Sequence, residues 1–392
     1  MQRYLQLTDD ESELIQVEVP QKAQVQTLNL EPLPCYAPVL MEFFTALSDA
    51  LGHLSDAPNA RALGFFLRAR ALEQAVAIRQ REYLRAPRGL SFHLVPANVP
   101  MVAFHSAFAS LLQGNPTIVR LSSRQLPEQQ QVLETLNRLL SQARWHCIAQ
   151  RIRFVRYPHS DALTAALSRQ CRSRVIWGGD ATIQQVRNYP ISAGALEVTF
   201  ADRQSLAVFD EQSLRQMPGH SVQLQLQQLA QDISQFAQQS CSSPGALVWI
   251  GTDSILRQKT FAQLSGYIES SICRGSTQLA LLQKACLERR IKDYDYFGNL
   301  GWGQLNSLEQ LPPRQGGTVY WQQFESMDAF FKQSINYQTC VIVGGSRESM
   351  KEQLVNAPQV MIDRIVAPGQ ALAFDWLWDG VDLLSVLSRM IV

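Results

Sequence analysis

The stretch Leu90-Ser91-Phe92-His93-Leu94-Val95-Pro96-Ala97-Asn98-Val99-Pro100 marks a change of pattern in the chain. Residues 90–95 read as an apolar strand, the two prolines as a stiffened loop, and residues 101–113 as a helix. The same unit then repeats. Strands are expected at 117–121, 152–156, 174–177, 196–200 and 206–209, with helices at 127–143, 161–170 and 181–189 between most of them. Such alternation predicts right-handed βαβ units and a parallel, doubly wound sheet. In that architecture ligands lie beyond the carboxyl ends of the strands, in the strand-to-helix loops.

Upstream, Ile15, Val17 and Val19, then Val25, Thr27, Leu28 and Leu30, alternate around Pro20 and predict a pair of exposed strands. A helix is expected over 39–51. A second begins after Pro58-Asn59, where Asn59 can cap, and runs to about residue 84 with Leu63, Phe66, Leu67, Ala71, Ala75 and Ile78 on one face. Downstream, the glutamine-rich segment 212–239 keeps helical periodicity and reads as a solvated helix. Strands are expected at 247–250, 318–324 and 339–343, and helices at 255–272, 327–335 and 346–355. Residues 292–315, rich in Gly, Asn and Pro, read as a loop near the site. The tail from residue 364, with Trp376, Trp378, Asp379 and Gly380, reads as a subunit interface.

Composition removes several function classes. An apolar fraction of 46% over 392 residues allows a full core, and a net charge of +1 gives no electrostatic footprint for nucleic acid or a membrane surface. No apolar run approaches the ~20 residues needed to span a bilayer. Residues 1–13 are polar and acidic, unlike a secretory signal. Seven cysteines, odd in number and without a C-x-x-C pair, suit free thiols in a reducing cytoplasm. Six dispersed histidines offer no metal-ligand spacing, so no metal is expected.

Three strand-to-helix loops carry unusual residues. Asn98, between Pro96 and Pro100, presents its amide in a fixed direction, or simply caps the helix that follows. After Gly114-Asn115-Pro116, a strand ends in Arg120-Leu121-Ser122-Ser123, where a ribose or phosphate can be bound; a surface arginine beside a Ser-Ser cap explains the same residues. Trp177-Gly178-Gly179-Asp180 leads a strand through two glycines into a helix, which lets backbone N–H groups approach a pyrophosphate. It is not G-x-G-x-x-G, and as a dinucleotide signal it is weak.

A fourth feature is Gln238-Gln239-Ser240-Cys241-Ser242-Ser243-Pro244-Gly245, where a polar helix breaks and an apolar strand begins. A cysteine at such a turn can lie beside free amide N–H groups that favour thiolate and receive an oxyanion. A small buried hydrophobe is the other reading of Cys241.

The ordered set, 95–100, 114–123, 177–180, 200–205, 238–244 and the ending Trp378-Asp379-Gly380, resembles the aldehyde dehydrogenase superfamily and, more closely, the LuxC family of acyl-CoA (long-chain fatty acid) reductases. The resemblance spreads over about residues 90–392. It implies Cys241 as the acyl-accepting nucleophile, and Asn98 with the Cys241 N–H as the oxyanion hole. Arg120 would stand where the superfamily's lysine holds the adenosine ribose, with Ser122 beside it, and Gly178 and Gly179 would lie against the pyrophosphate. The implied reaction is NADPH-dependent reduction of an acyl thioester, from acyl-CoA or an acylated carrier or synthetase protein, to a fatty aldehyde through an acyl-cysteine.

The sequence departs from the family at two places. The superfamily's general-base glutamate precedes Gly-Gly-Lys; here the region reads Glu197-Val198-Thr199-Phe200-Ala201-Asp202-Arg203, which puts Thr199 at the glutamate position and Glu197 out of register. The bioluminescence reductases also run longer and often keep glycine where Ala201 stands. The expected architecture is aldehyde-dehydrogenase-like α/β: residues 1–211 as the N-terminal region with a doubly wound NAD(P)-binding domain, 212–363 as an α/β catalytic domain, and 364–392 as an oligomerisation segment of a homo-oligomer. The alternatives are an ordinary aldehyde dehydrogenase forming free acid, and a non-catalytic nucleotide-binding scaffold.

Overall fold

The computed structural model describes residues 4–80, 83–313 and 315–392, and the chain divides into two units: Met1–Asp202 with Phe374–Val392, and Arg203–Ala373. Strands of the first are Gln16–Val19 (β1), Leu84–Pro87 (β2), Ser91–Leu94 (β3), Thr117–Arg120 (β4), Ile152–Arg156 (β5), Ser173–Trp177 (β6) and Leu196–Phe200 (β7). All but β2 form one sheet in the order β1-β5-β4-β3-β6-β7. From β3 to β7 the neighbours run parallel, while β1 lies antiparallel to β5. Every residue of β3 and β6 is buried, because helices cover both faces, and that is why these segments read as unbroken apolar runs. The chain moves from β3 to β4 and β5 on one side, then returns to β6 and β7 on the other. The expected double winding is present, with its switch point between β3 and β6.

The second unit holds Gln204–Asp210 (β8), Pro244–Ile250 (β9), Ile291–Phe297 (β10), Leu300–Leu305 (β11), Thr318–Phe324 (β12), Ile335–Val343 (β13) and Val360–Val366 (β14). They form one sheet, β10-β11-β12-β9-β8-β13-β14, parallel except for the β10–β11 hairpin.

The tail returns to the first unit. Leu377–Trp378 (β15) and Val381–Asp382 (β16) make a small hairpin, and Ser388–Ile391 (β17) pairs antiparallel with β2. Trp376, only 4% exposed, stacks on His105 at 5.4 Å, and the Asn115 amide donates to Leu387 O at 2.8 Å. The aromatic at the centre of the expected interface is therefore core. Arg364 donates to Ala371 O and Ala373 O, and Asp232 accepts from the N–H groups of Gly369 and Ala371. These bonds carry the second unit to residue 373, past the expected boundary at 363. At the other end β8 pairs with β9 and β13, so the second unit begins at Arg203 and not after 211.

Four local expectations are corrected as well. Residues 15–30 make one strand, β1, and a 3-10 turn at Val25–Thr27, because Val25 and Leu28 turn into the core instead of alternating along a hairpin. The helix expected to run to about 84 splits into Pro58–Phe66 and Ala69–Arg79, and residue 84 begins β2. Asn59 is not its cap: the N-cap is Ala57, and Glu128 accepts from the backbone N–H of Asn59 and Ala60 and from the Asn59 amide. Much of 292–315 is the β10–β11 hairpin, not a loop. Glycine is needed there for contact: a Cβ on Gly301 would lie 2.7 Å from Leu282 and one on Gly303 2.8 Å from Tyr320. No described helix is long and apolar enough to cross a membrane.

Candidate active site

Cys241 lies half-buried in the turn between the 3-10 segment Gln235–Gln238 and β9, at the edge where the parallel strands β8, β9 and β12 begin. The approach to it is strained. Phe236, Ala237 and Gln238 all have positive φ (51°, 50° and 66°), a conformation that costs a non-glycine residue about 1–2 kcal/mol. The surroundings hold it in place. Buried Gln238 donates its amide to Thr318 O at 3.0 Å and accepts from Gly317 N at 2.9 Å. Gly317 itself needs to be glycine, with φ +83° and a would-be Cβ 2.5 Å from the Gln278 amide nitrogen. Ser205 donates to the Cys241 carbonyl at 2.6 Å, Ser242 donates to Gln338 Oε1 at 3.1 Å, and Ser243 N closes the turn onto Ser240 O at 3.0 Å. Four strands or their leading residues therefore fix the cysteine's backbone.

In the first unit the switch-point loops rest on a buried hydrogen-bonded chain. His93, fully buried, contacts Ser91 Oγ and Ser106 Oγ, each at 2.7 Å, and the Trp177 indole donates to the same Ser106 Oγ. Burial pushes the His93 imidazole down to about 3, so it stays neutral and its bonding survives any physiological pH. Trp177 also stacks on Phe200 at 3.9 Å. The base of both loops is thus rigid.

Asn98 stands half-buried in the loop after β3. The N-cap of the helix Val102–Leu112 is Met101, with no side chain bonded to it, so Asn98 does not cap that helix. Arg120 ends β4 with its guanidinium 4.8 Å over the Tyr157 ring, and its buried Nε has no hydrogen-bond partner among the described residues. Ser122 accepts from Arg124 N at 3.2 Å. Beyond β6, Gly178 N donates to Phe200 O at 3.1 Å, and a Cβ on Gly178 would touch Thr182. Gly179 is the N-cap of the helix Asp180–Arg187 without a side-chain cap, and a Cβ there would meet nothing within 4 Å. That open cradle over helix amides, together with the orphaned Arg120 Nε, fits a nucleotide's phosphate and ribose oxygens.

Residues 68–272, just over half of the chain, match the family model described as acyl-CoA reductase (LuxC). The chain belongs to the LuxC acyl-CoA reductase family. A long-chain acyl-protein thioester reductase 2 of Photobacterium leiognathi is 30% identical over 179 residues, which are 44% of this chain and 34% of that protein. The matched stretch thus spans about a third of that relative. Among solved structures, a 1-pyrroline-5-carboxylate dehydrogenase of Thermus thermophilus superposes with TM-score 0.66 at 10% identity, covering 92% of this chain and 81% of that one. An NADP-dependent glyceraldehyde-3-phosphate dehydrogenase of Bacillus halodurans, solved with NADP, gives 0.55 at 11% identity over 91% and 84%. At such identities the likeness is one of fold, and the fold is that of the aldehyde dehydrogenases.

For this LuxC member the question left by the sequence is Glu197. Its carboxylate is clasped by buried Arg174 and by Arg187. Burial works to raise it, but the hydrogen bonds and charge of the two arginines prevail and hold it below the usual carboxylate range. A carboxylate so paired is a weak base. Its stabilising effect is complete above about pH 4–5 and is lost as acid titrates through the lowered value. Glu197→Gln, which leaves the Arg174 guanidinium buried without its partner, is expected to cost about 3 kcal/mol of stability, the low end for a broken buried pair, since Glu197 keeps an edge to solvent. Thermal unfolding and turnover per folded molecule are the readouts. Unchanged stability with abolished turnover would return Glu197 to the chemistry.

Sequence reasoning missed Gln238, Ser205, Gln338 and Gly317 as holders of the cysteine. Gln238 and Ser205 lie within the resembling stretches, but their partners are 79 or more and 36 or more residues away, and no local pattern announces them.

Proposed function

We propose that this chain reduces an acyl thioester to a fatty aldehyde through an acyl-Cys241 intermediate, using NADPH. The observation that carries the reading is the turn that holds Cys241, a strained backbone clamped by Gln238, Ser205 and Ser242, in a LuxC-family chain. The Cys241 thiolate adds to the thioester carbonyl. Asn98 and the Cys241 N–H donate to the oxyanion, and its collapse expels the CoA or carrier thiolate, leaving the acyl group on sulfur. A nicotinamide, when bound, supplies the hydride that takes the acyl group to the aldehyde level. Arg120 and Ser122 hold the adenosine side, Gly178 and Gly179 the pyrophosphate. The donor is acyl-CoA or an acylated protein, the site of action the reducing cytoplasm, and the working form a homo-oligomer.

Following nicotinamide absorbance across a series of acyl-CoA chain lengths tests the reading. Oxidation of NADPH with stoichiometric aldehyde is expected for at least one length, and its absence for all, with acylated carrier also inert, overturns the proposal. Arg120 sets the cofactor choice, because a guanidinium can pair bidentately with a 2′-phosphate. Arg120→Ala is expected to raise KM for NADPH about tenfold more than for NADH, as the loss of charge-assisted hydrogen bonds would do. Equal increases for both would reduce Arg120 to a ribose contact.

A further inference from the structure

The second unit has a crevice at the opposite ends of the strands that begin beside Cys241. It measures about 690 Å3 and lies where β8, β9, β12 and β13 finish. β9 alone spans seven residues, so about 20 Å of strand separates the crevice from the cysteine turn. Topology puts it at a switch point. From β8 the chain passes to β9 and then β12 on one side, and from β12 it returns to β13 on the other side of β8. The helices after β8 and β9 pack on one face and those after β12 and β13 on the opposite face. Open α/β sheets hold ligands at such a point, and the volume suits a small molecule.

The lining selects the ligand's chemistry. Ile250, Ile342 and Met350 give an apolar floor, and Ser326, Ser346 and Ser349 line a wall of small polar residues. Helix N-termini that open here are already capped by the chain itself. Asp210 accepts from Ser213 N, Asp253 from Ile255 N and Leu256 N, Ser326 from Ala329 N, and Ser346 from Ser349 N. The donors that would grip a phosphate are therefore occupied. The charged groups in the lining are Asp210, Glu211 and Glu325 against Arg215. Glu211 is engaged by Asp253 N and Arg215. Glu325 is exposed and makes no ion pair or hydrogen bond among the described residues. An anion would meet uncompensated negative charge, whereas a cation would neutralise it.

We propose that this crevice binds a small organic cation, its ammonium group on Glu325 and its aliphatic body over Ile342 and Met350. The site is separate from the acyl chemistry and does not depend on the reductase reading. Calorimetric titration of the full chain with hexylammonium chloride tests it, with hexanoate and 1-hexanol as anionic and neutral probes of the same length at fixed ionic strength. Saturable binding of one hexylammonium per chain is expected, with hexanoate at least tenfold weaker. Glu325→Gln should weaken hexylammonium about tenfold. Ser349→Trp, which sets an indole in the crevice, should abolish binding, with unfolding temperatures of both variants showing that they fold. Cys241→Ala should bind as the parent does. No saturable binding, equal affinity for hexanoate, unchanged affinity in folded Ser349→Trp, or loss in Cys241→Ala would each overturn the proposal.

Discussion

Cys241→Ala is expected to abolish thioester reduction while leaving NADPH binding unchanged. On the proposed mechanism, removing the acyl acceptor leaves only binding and oxyanion donation, and loss of a nucleophile that works in concert with such groups commonly costs about 10⁴–10⁶ in turnover. Five of the other six thiols are held away from the thiolate form. Burial pushes Cys35 up to about 11 and Cys171 up to about 12, and raises Cys340 as well, so these thiols resist becoming thiolate. Cys273 and Cys286 are also raised by burial. The substitution is small and the turn's clamps come from Gln238, Ser205 and Ser242, so the fold should persist. Turnover, NADPH titration by fluorescence, and mass spectrometry of the protein after incubation with a labelled acyl donor are the measurements. A stable acyl thioester on the Cys241→Ala protein would move the nucleophile elsewhere.

The doubly wound sheet was legible because β3 and β6 are buried on both faces, and their apolar runs announce themselves without any knowledge of partners. The β10–β11 hairpin was not. Its first strand, Ile291–Phe297, is an edge strand carrying Lys292, Asp293 and Asp295, charges that protect an open edge and erase the apolar signal. Gly301 and Gly303 read as loop residues for the same local reason, although close packing demands them. The start of the second unit escaped because β8 takes its place through pairing with β9 and β13, the latter more than 100 residues on. Of the candidate site, Cys241, Asn98 and the two glycines stand out in the sequence by their turn chemistry. The clamp on the cysteine does not, because nothing in Phe236-Ala237-Gln238 announces a left-handed backbone and the bonds of Gln238 to Gly317 and Thr318 are tertiary.

The second large effect concerns how the acyl-enzyme is resolved. With aldehyde and NADP⁺ supplied, the protein is expected to form acyl thioester rapidly when CoA is present and to form free acid about 10²–10⁴-fold more slowly when it is absent, the range that general-base assistance commonly contributes. Water attacks a thioester poorly unless a positioned carboxylate takes its proton. The resemblance puts Thr199, on β7, at the position of the superfamily's glutamate, and its hydroxyl is no base near neutral pH. Glu197 lies on the same strand two residues earlier, about 7 Å away, but Arg174 and Arg187 hold both of its oxygens and keep it below the usual carboxylate range. Neither residue can activate water. The side chains that clamp the cysteine's own turn, Gln238, Ser205 and Ser242 with its partner Gln338, are amides and hydroxyls, which stabilise charge without accepting a proton at neutral pH. A thiol needs less help than water, since a fraction of CoA is already thiolate at neutral pH and is a far better nucleophile toward an acyl-cysteine. On the proposed mechanism the acyl group therefore waits for a thiol in this direction, and for the reduced cofactor in the other. Following NADPH by absorbance and products by mass spectrometry, with and without CoA, separates the outcomes. Restoring the superfamily pattern with Thr199→Glu should raise acid formation and leave the CoA-dependent rate unchanged. Rapid free acid from the parent protein without any thiol would make it an ordinary aldehyde dehydrogenase, and would require a base that neither Thr199 nor Glu197 supplies.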